Sequence, residues 1–165
     1  MSTIRPELDD LDLRILNALQ SDAGLTNQTL AERVHASPPT CLRRVRRLTA
    51  AGIIEKQVAI LNTEALGIGL TAICEITLDR QTADHYAAFE ALAIQEEAVL
   101  QCYRVSPGPD FVVVAQVADM PAYHALAHRV FTSQRNVRNV RTFFATHRAK
   151  FDTRALLPEP EVRRT

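Results

Sequence analysis

The residue pattern predicts an α+β chain, helical up to about residue 54 and then β-α-β-β-α-β from about residue 70. Two changes of rhythm carry that reading. Up to Gly52 the apolar residues recur at helical spacing. From Leu70 they alternate, as Leu70, Ala72, Cys74, Ile76 and Leu78 do with Thr71, Ile73, Glu75 and Thr77 between them. Length sets the third bound, since 165 residues can bury one substantial core or two small ones. The composition, 47% apolar and 23% charged, is that of an ordinary globular protein. A formal net charge of zero excludes a generally basic coat, so any polyanion must be met by a local cluster. No apolar run is long enough for a membrane span and no leader pattern is visible, which places the expectation in the cytoplasm. Cys41, Cys74 and Cys102 match no metal spacing and no disulfide framework, and are expected to be buried, reduced thiols.

Residues 1–7 read as a loose arm. Asp9 and Asp12, three apart, can cap a first helix whose apolar positions are Leu11, Ile15, Leu16 and Leu19. Ser21–Gly24 is a turn, and Thr26 caps a short second helix carrying Leu30, Ala31 and Val34. His35-Ala36 turns the chain into a third helix. There Ser37 is a good N-cap, Pro38 suits the first helical position, and Gly52 offers a left-handed stop.

The third helix holds the chemistry. Cys41, Leu42, Val45 and Leu48 fall on one side of its wheel, and Thr40, Arg43, Arg44, Arg46 and Arg47 on the other. No acid occurs between Ser37 and Ile54, so nothing within the helix offsets four guanidinium groups. Alone, such a face could be merely solvated. A short helix, a turn and a longer basic helix in sequence, with a further helix before them to pack on, form the helix-turn-helix arrangement. Its second helix enters the major groove of double-stranded DNA. Thr40, Arg43, Arg44 and Arg47 are expected to face the DNA, Thr40 and Arg43 early in the helix where bases are met, and Arg46 and Arg47 are placed for phosphate.

Gln57–Leu61 reads as a linker strand. Beyond it come a strand over residues 70–78, a helix with the stripe Tyr86, Phe89, Leu92 and Ala93, and strands Val99–Val105 and Phe111–Ala118. Asp119 and Pro121 open a helix that buries Tyr123, Leu126, Ala127, Val130 and Phe131, and Asn139–His147 is the last strand. This order is the ferredoxin-like split unit. Its helices cover one sheet face only, yet Phe111–Ala115 is apolar on both faces, and Phe143 and Phe144 point opposite ways. The sheet therefore needs a second partner, and a second copy of itself makes a homodimer. The tail beyond Lys150, with Pro158, Pro160, Arg163 and Arg164, has no period and reads as loosely ordered.

Other candidates are weaker. His124 and His128 have the spacing of two metal ligands, but no third ligand follows and no glutamate lies between them, so no metal site is read there. No residue is assigned a catalytic role: Asp110 has no His, Cys or second acid beside it in sequence. It either pairs with a ligand ammonium or caps its own turn. Tyr103 and Ser106 flank the same loop. Arg138 and Arg141 read as rim ion-pair residues.

Leu8-Asp9-Asp10-Leu11-Asp12, Ser37-Pro38, Cys41-Leu42-Arg43-Arg44-Val45, Gly52-Ile53-Ile54, Asp110-Phe111 and Asp119-Met120 together resemble the Lrp/AsnC family of leucine- and asparagine-responsive transcription regulators. The resemblance runs from Leu8 to about Pro158. It implies four segments: a helix-turn-helix DNA-binding domain over 1–54, a hinge over 55–69, a ferredoxin-like domain for effector binding and oligomerisation over 70–150, and a tail over 151–165. It also implies no cofactor, dimers that assemble into rings such as octamers, and an amino-acid effector held near Tyr103, Ser106, Gly108 and Asp110. Two departures stand out. Pro39-Thr40 exchanges the middle pair of the usual Ser-Pro-Thr-Pro-Cys, and Pro107 replaces the glycine three residues before the loop aspartate, with Gly108 one later. Proline forbids angles that glycine permits, so this loop follows its own path. The rival reading is a small-molecule-binding or enzymatic α/β dimer, in which the arginine cluster would have no reason.

Overall fold

The computed structural model describes residues 7–63, 65–67 and 69–158. The chain divides into two compact units: residues up to Ile60 together with those from Lys150 onward, and Leu61–Ala149.

The first unit is built on three helices, α1 (Asp10–Ser21), α2 (Asn27–Arg33) and α3 (Pro38–Ala50). Each starts where its capping side chain dictates. Asp9 accepts from the Asp12 amide while the Asp12 side chain accepts from the Asp9 amide, a capping box. Thr26 and Ser37 cap α2 and α3. Gly52 at φ 69° lets the chain leave α3 through the left-handed region. Ile15, Leu16, Leu30, Ala31, Val34, Cys41 and Leu48 close one core between the helices. Asn27 Nδ2 donates to the Pro38 carbonyl at 2.9 Å, pinning α2 to the start of α3.

The tail departs from expectation. Residues 151–158 form no helix or strand, yet the Gln20 carboxamide grips Ala155 from both sides, accepting from its amide at 2.9 Å and donating to its carbonyl at 3.0 Å. Leu157 packs against the helical core. Pro160, Arg163 and Arg164 lie outside the described residues, as does the expected arm apart from Glu7. The expected strand Gln57–Leu61 is also absent. Its residues are extended without a ladder, and Val58, Ile60 and Leu61 are about 60% exposed. A strand needs a neighbour to take its hydrogen bonds, and none in the described chain does.

The second unit is a four-stranded antiparallel sheet of order β2-β3-β1-β4, from β1 (Leu70–Leu78), β2 (Val99–Arg104), β3 (Phe111–Val117) and β4 (Val137–Phe144). Helices α4 (Ala83–Gln95) and α5 (Met120–Ala127) cover one face. Ala72, Cys74, Ile76, Phe111, Val113 and Ala115 meet Phe89, Tyr123 and Leu126 there. Gly69 is dictated by close approach: at φ +53° a Cβ would stand 1.7 Å from the Val117 carbonyl oxygen. The helix expected to run on through Phe131 turns instead into one π-helical turn, His128–Thr132, which keeps Val130 and Phe131 buried. The last strand sits two to three residues earlier than its apolar pattern suggested.

The other sheet face carries Ile73, Val112, Val114 and Phe143, with Ile73 and Phe143 still 37% and 46% exposed. Cys41 and Cys74 are buried as expected, but Cys102 is only half-buried. Burial raises all three thiol pKa values, which keeps them protonated.

Candidate nucleic-acid interface and ligand pocket

Helix α3 presents its arginines unequally. Arg43, Arg46 and Arg47 are all exposed, but only Arg43 and Arg46 lie at the apex of the helix away from Cys41 and Leu48. Arg44 and Arg47 turn back to α1 instead. Arg44 Nη1 lies 2.6 Å from Asp9 Oδ2 and 3.2 Å from both oxygens of Asp12, and Arg47 Nη2 also binds Asp12 Oδ2. Asp12 is fully buried, while the side chains of Arg44 and Arg47 are 24% and 47% exposed. The expectation of four uncompensated guanidinium groups is therefore corrected, because the missing acids come from α1. Asp9 raises the Arg44 pKa further. Asp9 itself is held below the ordinary carboxylate value, chiefly by the Asp12 amide and then by Arg44. Thr40 is half-buried, and its hydroxyl accepts from Ser37 Oγ at 2.8 Å within the cap. The wheel position of Arg44 could have disclosed the pairing. Four residues before Leu48 it lies about 40° from the core direction, at the border rather than the apex.

In the second unit a cavity of about 270 Å³ opens beside the β2–β3 loop, lined by Gln81, Tyr86, Arg104, Ser106, Gly108 and Asp110, among others. Asp110 is 6% exposed and fully engaged. Its Oδ2 accepts from the Leu78 amide at 2.7 Å and Gln81 Nε2 at 3.2 Å, and its Oδ1 from the Tyr86 hydroxyl at 3.0 Å. Neither sequence alternative describes this bond set, in which the carboxylate ties its loop to β1 and α4. Ser106 and Gly108 line the same cavity. Tyr103 does not: it pairs with Val112 on the other sheet face and is 53% exposed.

The sequence missed three residues of this site. Gln81 was passed over and Tyr86 was read only as core. Arg104, unassigned, stacks 4.5 Å over the Tyr86 ring and pairs with Glu90 at 2.7 Å. Burial first, and then the Asp110 carboxylate, raise the Tyr86 pKa, so it stays a donor. Arg141 pairs with Glu75 at 3.4 Å, whereas Arg138 is exposed. His124 and His128 are exposed, and no group of three metal-ligating side chains exists among the described residues. No described helix is long and apolar enough to cross a membrane.

Comparison with known proteins gives this geometry a class. Residues 8–55 match the model of winged helix-turn-helix DNA-binding domains, and residues 71–155 that of the Lrp/AsnC ligand binding domain. The chain is 37% identical to the leucine-responsive regulatory protein of Rhizobium meliloti, across 89% of this chain and 94% of that one. Against the protein of the same name from Escherichia coli K12 the identity is 34%, across 92% of each. Among solved structures, a Neisseria meningitidis transcriptional regulator in complex with L-methionine superposes with a TM-score of 0.80 at 32% identity, covering 89% of this chain and 95% of that one. An AsnC family regulator from Agrobacterium tumefaciens gives 0.81 at 28%, covering 90% and 97%. A helix-turn-helix unit joined to a ligand-binding unit defines a DNA-binding transcription regulator, not an enzyme. The chain belongs to the Lrp/AsnC family.

Proposed function

We propose that this regulator meets the major groove through the apex of α3, with Arg43 reading base edges beside Thr40 and Arg46 contacting phosphate. The observation that carries this reading is the exposure of Arg43 and Arg46 on a helix pinned by Ser37, Asn27 and Asp12. A rigid helix with two unengaged guanidinium groups suits a polyanion, and bidentate contact with guanine is the commonest specific use of arginine. The test is binding of the full chain to a duplex selected from a random library. Arg43→Ala should weaken that duplex by about 1–3 kcal/mol and random DNA little. Equal loss on both sequences would move Arg43 to a phosphate role.

The second unit is the sensor and the assembly surface in this reading. Ile73, Val112, Val114 and Phe143 form an outward apolar band that pairs two copies as a homodimer, and dimers join into a ring such as an octamer. Sedimentation of a stable monomer at micromolar concentration would contradict it. The cavity at Ser106, Gly108 and Asp110 takes a small amino-acid effector, its volume lying near the lower end of ligand pockets, about 300–1,000 Å³. L-methionine, bound by the Neisseria relative, is the first probe to try by calorimetry. The protein acts in the cytoplasm, where the DNA is.

A further inference from the structure

We infer that Asp12, on α1 and away from the apex of α3, is a specificity-determining residue. By holding Arg44 and Arg47 it limits the guanidinium groups offered to DNA to Arg43 and Arg46. The inference rests on α3 being the helix that meets DNA.

Non-specific affinity grows with each phosphate a protein neutralises, whatever the sequence. Specificity is the ratio of the selected to the random affinity, so surplus cations raise the denominator. Four arginines within five positions of α3 are such a surplus. Asp12 sits at its base, fully buried, with Arg44 on both oxygens and Arg47 on Oδ2. Asp9 adds a second carboxylate to Arg44 at 2.6 Å. Two cations facing two anions present little net charge to a phosphate. A buried carboxylate does not easily give up its partners either, because leaving it alone is strongly unfavourable.

The same bonds fix how α3 is turned. Arg44 and Arg47 lie one turn apart, so a single carboxylate that binds both sets the rotation of the helix about its axis. That rotation puts Arg43 and Arg46 outermost. Asp12 therefore acts through other residues: it neutralises one pair and aims the other.

Salt titrations separate this role from plain support. Binding of the full chain to a random-sequence duplex is measured against salt concentration for wild type, Asp12→Asn, Arg47→Gln, Arg46→Gln and Arg43→Gln, each checked by thermal melting. Asp12→Asn should bind random DNA more tightly and steepen the slope by about 0.9 for each guanidinium that reaches a phosphate. Its preference for the selected duplex should fall. Arg47→Gln should leave the slope unchanged, while Arg46→Gln makes it shallower by about one. Should Asp12→Asn fail to fold, the Arg47 and Arg46 variants decide between them. Equal shallowing by those two would overturn the inference while leaving α3 as the DNA helix. A slope that neither Arg46→Gln nor Arg43→Gln moves would reject the helix itself.

Discussion

The two buried acidic side chains among the described residues, Asp12 and Asp110, solve one problem in opposite ways. An ionised carboxylate removed from water must regain in bonds what it loses in hydration. Asp12 does so chiefly with cations, Arg44 and Arg47, besides the Asp9 amide of its capping box, at the edge of a helical core. Asp110 does so with neutral donors, the Leu78 amide, the Gln81 carboxamide and the Tyr86 hydroxyl. Cationic partners let the first carboxylate govern which charges the surface displays. Neutral donors let the second govern the shape of a loop.

That contrast ranks the expected effects of breaking each. Asp110→Ala removes the acceptor of a main-chain amide at the end of β1, and each buried donor left unpaired costs about 1–3 kcal/mol. The second unit should lose about 3 kcal/mol, or on the order of 10–20 °C in Tm. Asp12→Ala should cost the first unit less, about 2 kcal/mol, since Arg44 and Arg47 can turn to water and Arg44 keeps Asp9. Urea melts of both variants test the order, and a larger loss for Asp12→Ala would reverse it.

A smaller effect tests where the helical unit ends. Ending the chain at Ala149 removes the two Gln20–Ala155 bonds and the Leu157 packing, which should lower the stability of the first unit by about 1–2 kcal/mol. The second unit should melt unchanged. Equal melting of the first unit with and without the tail would show that the segment adds nothing to it.

The smallest effect is one of pH. The Asp9 pKa is lowered on folding, so its contribution is present above the ordinary carboxylate value of 3.8 and is lost as pH falls through the lowered one. Asp9→Asn should therefore flatten the acid limb of α1 unfolding, followed by circular dichroism, and leave the neutral range nearly unchanged. A flattening of the neutral range instead would place the linkage on another group.

Much of this was legible in the residues. Caps at Asp9, Thr26 and Ser37, the stop at Gly52 and the alternation from Leu70 each act locally, so local sequence discloses them. What was missed depends on distant partners. Arg44 meets Asp12 across 32 positions, and Asp110 meets Leu78 across 32. Gln57–Leu61 has the short apolar run of a strand, but no pattern within one chain supplies the neighbour that would make it one. The π turn at His128 preserves the buried set Val130 and Phe131, so its apolar spacing still reads as continuous helix. Tyr103 was placed with the β2–β3 loop by nearness in sequence, whereas strand alternation turns it to the opposite face.

In this reading the four arginines of α3 divide into a displayed pair, Arg43 and Arg46, and a pair held by Asp12, Arg44 and Arg47. The most direct measurement is heteronuclear NMR of the arginine side-chain Nε–Hε groups of the full chain as a DNA duplex is added. Arg43 and Arg46 should shift and gain protection from exchange, while Arg44 and Arg47, already bound to Asp12, keep their positions. If Arg44 and Arg47 shift as far as Arg43 and Arg46, the division does not exist.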